Sequence, residues 1–287
     1  GFLGVLDDGY ARWLAGEPVS KSWLMSRRGR YRPPDQGRPE SNDGAVVHWL
    51  RLERAIPGRL ALAVAETLKA AVLDRYQQAL PEGEDPPPVL HGHGFPEAGY
   101  DLASWLALPE VGHSHASGRL HGAAVVLPAG TPPAVSEMVS EVLWRLRILA
   151  LPGGRSVGVH PFAGERRPWS ATPTRWTCGA RHWVSATPVV AERRTRGLPD
   201  QAEVARWCRH AGLPDPVSFR VSPTPLVPGG LSLRPHEVYH SASSRRPYVH
   251  VEIELPGPVK GPVILGRARH FGMGLMAPVG SRRQERS

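Results

Sequence analysis

Gly261-Pro-Val-Ile-Leu-Gly266-Arg-Ala-Arg-His-Phe-Gly272-Met-Gly274-Leu-Met276 is the stretch on which the reading of this 287-residue chain turns. Four glycines punctuate a segment that begins and ends apolar, with Arg267, Arg269 and His270 in its middle. Glycine permits positive φ and close backbone approach, so amides here are placed to cradle phosphates. Two guanidinium groups beside such a backbone add charge-assisted contacts to phosphate oxygens. No Gly-Lys-Ser/Thr follows the glycines, which excludes a Walker loop. The other reading is a glycine-rich hairpin joining two C-terminal strands.

Working outward, Tyr248 to Leu255 places Val249, Val251, Ile253 and Leu255 in alternation, the pattern of a half-buried strand. Further upstream His182 to Val190 and Val217 to Val221 read as strands. Between them Asp200 and Glu203 form a capping-box-like helix start. Val204, Trp207, Cys208 and Ala211 supply that helix's core face, and Gly212-Leu-Pro214 stops it. The N-terminal half has the same order. A strand from Ala45 to Glu53 leads through Pro57-Gly58 into a helix whose Leu60, Val64, Leu68 and Val72 form one apolar stripe. The second strand is expected near Pro88 to His93, followed by a helical Leu102 to Leu108 and a strand from Leu120 to Leu127. Thr131-Pro132 opens a helix carrying Val135, Met138, Val139, Val142, Leu146 and Leu149. Pro152-Gly-Gly154 ends it, and Ser156 to His160 resumes as a strand.

Strand, helix, strand, strand, helix, strand is the ferredoxin-like order. The expected fold is therefore α+β: tandem ferredoxin-like (RRM-like) domains over 44–162 and 163–280, with a C-terminal glycine-rich loop. A basic extended segment, 1–43, precedes them, and a basic tail, 281–287, follows. No ungapped repeat is visible, so the second round is read from element order.

The formal net charge is +9 and the pI about 10.2, most of it from arginine. Arginine-dominated charge suits phosphate recognition. Apolar content of 41% is that of a globular protein. Two cysteines, Cys178 and Cys208, make no disulfide framework and no CxxC pair, which points to a reducing cytoplasm. No apolar run is long enough for a membrane span, so a soluble protein without a membrane partner is expected. Arg27-Arg-Gly-Arg-Tyr-Arg32 places Tyr31 among arginines, where it either stacks on a base or belongs to a solvated linker. Trp169, Trp176 and Trp183 interleave with Arg166, Arg167, Arg175 and Arg181, which reads either as a base-stacking strip or as core alternating with cover. Arg193, Arg194 and Arg196 add a loop cluster suited to a nucleic-acid backbone.

The histidines are uneven. His91-Gly-His93 and His113-Ser-His115 flank the segment around Tyr100 to Leu108, and His121 lies just beyond. Two His-X-His pairs match the spacing of some metal sites. No acidic residue follows His115 at a regular ligand offset, and Cys208-Arg-His210 lies on a predicted core face where a buried thiol is ordinary. No metal and no cofactor is expected.

The glycine segment at the end of a ferredoxin-like domain resembles the RAMP superfamily of CRISPR RNA-binding and RNA-processing proteins. Three stretches sharpen the match: Gly112-His-Ser-His115-Ala-Ser-Gly118-Arg-Leu-His-Gly-Ala-Ala-Val-Val-Leu-Pro128, Trp183-Val-Ser-Ala-Thr-Pro188 and Gly261-Pro-Val-Ile-Leu-Gly266. In this order, over about residues 44–279, they resemble the type I subunit of subtype G, formerly U, that fuses a repeat endoribonuclease to a backbone-capping RAMP subunit. The resemblance implies that residues 1–43 are the tail of the capping half. It implies binding of CRISPR repeat RNA and metal-independent cleavage of the precursor, with a 2′,3′-cyclic phosphate product, in the service of antiviral defence. It also implies retention of the hairpin in a type I surveillance complex (Cascade) beside backbone and large subunits.

By this match His115 is the first catalytic candidate, His113 the second and His270 a third that meets the same phosphate across the groove. Arg119 is the phosphate-facing cation of that turn. The RNA-binding candidates are Arg166, Arg167, Arg175, Arg193, Arg194, Gly266, Arg267, Arg269, Gly272 and Gly274. A non-catalytic RNA-binding subunit and a His-ligated metal enzyme are the alternatives.

Overall fold

Two runs buried along almost their whole length, Ser104–Pro109 and Leu120–Leu127, shape the first sheet. A computed structural model of the chain describes residues 41–42, 45–92, 102–164, 167–194, 197–239 and 246–279. The basic segment around Tyr31, and His93, Tyr100, Arg166, Arg196 and residues 281–287, lie outside the described residues. Strands are β1 Ser41–Asn42, β2 Ala45–Ile56, β3 Ser104–Pro109, β4 Leu120–Leu127, β5 Ile148–Leu151 and β6 Arg155–Pro161. Helices α1 Ala61–Ala79, α2 Pro88–His91 and α3 Pro133–Arg145 accompany them. The sheet order is β3-β4-β2-β6-β5, with the β5–β6 hairpin acting as the fourth strand of a ferredoxin-like 4-1-3-2 arrangement.

The second sheet follows α4 Pro173–Thr177 and contains β7 Ala180–Ser185, β8 Val189–Val190, β9 Ser218–Ser222, β10 Tyr248–Val259, β11 Val263–Ile264 and β12 Leu275–Val279. Its helices are α5 Gln201–His210 and the short α6 Pro235–Val238. The path is β11-β12-β7-β10-β8, with β9 also on β10, so β12-β7-β10-β9 repeats the 4-1-3-2 order. The second crossover differs. In the place of a helix between β10 and β12 stands the glycine segment, with β11 and a single 3-10 turn, Arg269–Phe271. The chain is α+β with two tandem ferredoxin-like sheets and a C-terminal glycine-rich loop.

Three cores hold these layers. Val64, Leu68 and Val72 of α1 and Val139 of α3 cover one face of the first sheet, meeting Leu50, Leu52 and Val125. Trp207 and Cys208 of α5 cover the outer face of the second, meeting Val251, Ile253 and Leu255. The remaining faces meet each other: Val47, Trp49, Leu106, Leu108 and Ala124 pack on Val184, Ala186, Leu275 and Ala277. The layers run helix, sheet, sheet, helix. Each fully buried large side chain contributes roughly 1.5–3 kcal/mol. Burial pushes the Cys208 thiol up to about 12, which leaves it an apolar packing group.

Several expectations are corrected by this packing. Leu102 to Leu108 is the strand β3 rather than a helix, because Trp105 and Ala107 face the helices while Leu106 and Leu108 face the second sheet. A strand buried on both faces loses its alternation, and periodicity cannot separate it from a buried helix. Pro88 to His91 is one helical turn, not the second strand. Helix α3 ends at Arg145; Leu146 caps it and Leu149 belongs to β5. The Thr131 hydroxyl donates to the Pro128 carbonyl at 2.7 Å instead of capping that helix. Asp200 does cap α5, accepting from Glu203 N–H at 2.9 Å, but the Glu203 carboxylate turns away to the loop after β8.

Candidate active site

The connection from β3 to β4 is where chemistry concentrates. Glu110 leaves β3, and its backbone N–H donates to the Arg119 carbonyl at 2.8 Å as the chain returns. Gly112 N–H donates to the Pro228 carbonyl (3.0 Å), which ties the turn to the second half. Gly118 sits at φ +69, where a Cβ would lie 2.8 Å from the Gly229 carbonyl oxygen. Only glycine meets both demands there, a left-handed backbone and a second backbone pressed against it.

Within this frame Glu110 is the hub. One carboxylate oxygen accepts from the Ser117 hydroxyl (2.6 Å) and the Ser117 N–H (3.2 Å), and the other lies 3.5 Å from His113 Nε2. The Ser117 hydroxyl bond holds the Glu110 carboxyl below its ordinary range; burial opposes this, and the nearby imidazoles of His121 and His113 add to it. His121, at the start of β4, is half-buried, and its Nδ1 lies 2.7 Å from the Ser170 hydroxyl. Burial pushes its pKa down, Glu110 pulls it up, and Arg119 and His113 push it down. At neutral pH the ring is therefore neutral and able to accept a proton. Arg119 is exposed and anchored by a 2.6 Å hydrogen bond to the Ala55 carbonyl. His115 is exposed on the same turn.

The arrangement thus brings together His113, Glu110, Ser117, Arg119 and His121, with His115 on their rim. Three of these, Glu110, His121 and Ser117, were not among the expected site residues. The Arg119/His121 spacing of two could have found the second, since alternate residues entering a strand share a face.

Other expected residues are placed elsewhere. His270 Nδ1 lies 3.3 Å from the Ala103 carbonyl, at the opposite end of β3 from Glu110. At ~3.3 Å per residue that is about 20 Å, too far for His270 and His113 to meet one phosphate. The glycine segment is turned inward. Gly272 N–H donates to the Arg269 carbonyl, Gly274 N–H to Pro188 and Arg267 N–H to Val190. A Cβ on Gly274 would lie 1.9 Å from the Leu265 carbonyl oxygen, and one on Gly266 2.5 Å from that of Val190. The close approach that the glycines permit is to the protein's own backbone.

Arg269 is buried and donates to the His210 carbonyl at 2.7 Å. Arg175 is also internal, donating to the Pro278 and Val111 carbonyls and lying over the Trp169 ring at 4.6 Å. Burial lowers its pKa to about 10. Trp176 and Trp183 are core, so of the three tryptophans in that strip only Trp169 reaches solvent, at 38% exposure. Arg167, Arg193, Arg194 and Arg267 are exposed. The two sheets pack face to face, and apolar side chains fill the space between them.

Among the described residues no group of three or more His, Cys, Asp or Glu side chains is placed to hold a metal ion, and no helix is long and apolar enough to cross a membrane. No protein-family model and no curated protein matches the chain. Among solved structures it is similar to the product of a Cas6-related gene from Pyrococcus furiosus, at 9% identity and TM-score 0.41 over 83% of this chain and 98% of that one. It is also similar to a CRISPR-associated protein Cas6, at 8% identity and TM-score 0.38 over 82% of this chain and 99% of that one. A Cas6 product complex matches at 13% identity and TM-score 0.35, over 82% of this chain and 98% of that one.

Proposed function

We propose that this chain binds CRISPR repeat RNA and cuts it without a metal ion. The carrying observation is the Glu110-centred turn, which sets two imidazoles and a guanidinium group together at a rim where both halves meet. In the proposed reaction His121, kept neutral by burial, takes the proton of a ribose 2′-OH. The freed 2′-oxygen attacks the adjacent phosphorus and the bond from phosphorus to the 5′-oxygen breaks. Protonated His113, paired with Glu110, gives its proton to that leaving oxygen. The products are a 2′,3′-cyclic phosphate and a 5′-hydroxyl, and the two histidines have exchanged protonation states. Arg119 offsets the charge that builds on the five-coordinate phosphate. His115, exposed beside them, contacts the flanking phosphate. The product hairpin stays bound and is carried into a type I surveillance complex.

The test is end-labelled repeat RNA incubated with the protein in EDTA, with end-group analysis of the fragments. A cyclic phosphate end is expected, and H113A and H121A each lower the rate by roughly 10²–10⁴. Cutting that needs an added divalent ion, or that survives both substitutions unchanged, overturns the assignment.

A further inference from the structure

A second concentration of positive charge lies away from the histidine turn, where three chain segments are bonded together at the end of β8. Arg267 N–H donates to the Val190 carbonyl (3.0 Å) and Ala191 N–H to the Pro247 carbonyl (2.9 Å). The Arg246 guanidinium donates to the Glu192 carbonyl. These bonds bring Arg193, Arg194, Arg246 and Arg267 to one place; Arg246 is partly buried and the other three are exposed. Burial lowers the Arg246 pKa, and the positive charges of Arg267 and Arg194 lower it further, as expected for guanidinium groups at close quarters.

The acidic groups nearby are turned inward. Glu203, 2% exposed, accepts from Glu192 N–H (3.1 Å), Arg193 N–H (3.1 Å) and the Trp207 indole N–H (3.0 Å), and pairs with Arg206. The Glu192 carboxylate lies 2.6 Å from His210 Nδ1, with its side chain only 8% exposed. Buried Glu203 thus fixes the backbone that carries the arginines and offsets part of the Arg246 charge, while Arg193, Arg194 and Arg267 stay exposed. Gathering like charges opposes folding unless an anion shares the site in the working state. Four guanidinium groups from three segments exceed what one phosphate needs and match successive phosphates of a strand.

We infer that Arg194, Arg246 and Arg267 form a phosphate platform for the RNA backbone, separate from the cleavage turn and held in shape by Glu203. This rests on the RNA reading above. The platform lies toward the His270 end of β3, so one RNA spans both places.

The experiment measures binding of 2′-fluoro repeat RNA, which lacks the attacking hydroxyl, from 50 to 300 mM salt. Wild type is compared with R194A/R267A and with R145A/R209A, a control removing the same charge from other exposed positions. R194A/R267A is expected to weaken binding at least tenfold. It should also flatten the slope of log K against log salt by about 0.7–0.9 for each lost phosphate contact, while the control shifts it far less. If both double variants lose the same affinity and slope, or neither does, the platform is refuted while cleavage by wild type still upholds the RNA reading. If wild-type protein neither binds nor cuts repeat RNA, both fall.

Discussion

Replacing Glu203 by Ala removes one buried carboxylate and orphans several donors at once. The Glu192 and Arg193 amides, at 3.1 Å each, and the Trp207 indole N–H, at 3.0 Å, all lose their acceptor. Arg206, whose side chain is 16% exposed, loses its ion pair. An unsatisfied buried donor costs about 1–3 kcal/mol, so three of them set a span of about 3–9 kcal/mol. Arg193 is exposed, so water reaches part of the loop and the lower end applies, about 3–5 kcal/mol. With a urea m-value of about 2 kcal/mol/M, the midpoint should fall by roughly 2 M. Glu203→Gln keeps an acceptor oxygen in place and should lose only about 1–2 kcal/mol. Urea denaturation followed by tryptophan fluorescence reads both, since Trp207 is itself a partner. A loss under 1 kcal/mol for Glu203→Ala, or equal losses for the two variants, would refute the claim that Glu203 latches the loop after β8.

The remaining tests probe the turn and the layers. Glu110→Gln should move the His121 titration, followed by proton NMR, to lower pH, because the carboxylate charge raises that pKa; no movement or an upward one contradicts the hub. His121 and His250 both have depressed folded pKa values caused first by burial. Below about 6.5 the unfolded chain binds more protons than the folded one, so stability should be flat above about pH 7 and fall as pH drops through the folded values. A denaturation midpoint that rises on acidification from pH 7 to 5.5 would contradict this. Gly272→Ala meets φ +76 and a Cβ position 2.8 Å from the Trp105 carbonyl oxygen. A loss of about 2 kcal/mol or more is expected from thermal unfolding, and one under 0.5 kcal/mol would mean the glycine segment and β3 do not approach there as described.

What could be read beforehand depended on how many faces each element buries. In β10 the inner Val249, Val251, Ile253 and Leu255 alternate with Glu252 and Glu254, so the strand was plain. The stripe of α1 was plain for the same reason, one face in and one out. β3 was not, since a second sheet lies on its far side and no local signal reports a partner from elsewhere in the chain. The end of α3 was blurred by Leu146 and Leu149, which face the same core at helical spacing although Leu149 reaches it from a strand.

The site divides along a similar line. The turn's residues are close in sequence, at 110, 113, 117, 119 and 121, so their grouping follows from one loop closing on itself. The arginines obey no such locality. Arg175 and Arg269 end up inside, as donors to backbone carbonyls. Arg194 and Arg267 sit in short connections whose backbone amides or flanking residues are bonded down, and their side chains stay out. A guanidinium group has five donors and satisfies either role. Composition therefore counts both kinds toward a phosphate surface, and only the path of the backbone separates a tie from a contact. The glycines act in the same way: they let two sheets and a returning loop close on one another. Their own amides are spent on these internal contacts, so the proposed RNA backbone is assigned to the rim they leave exposed.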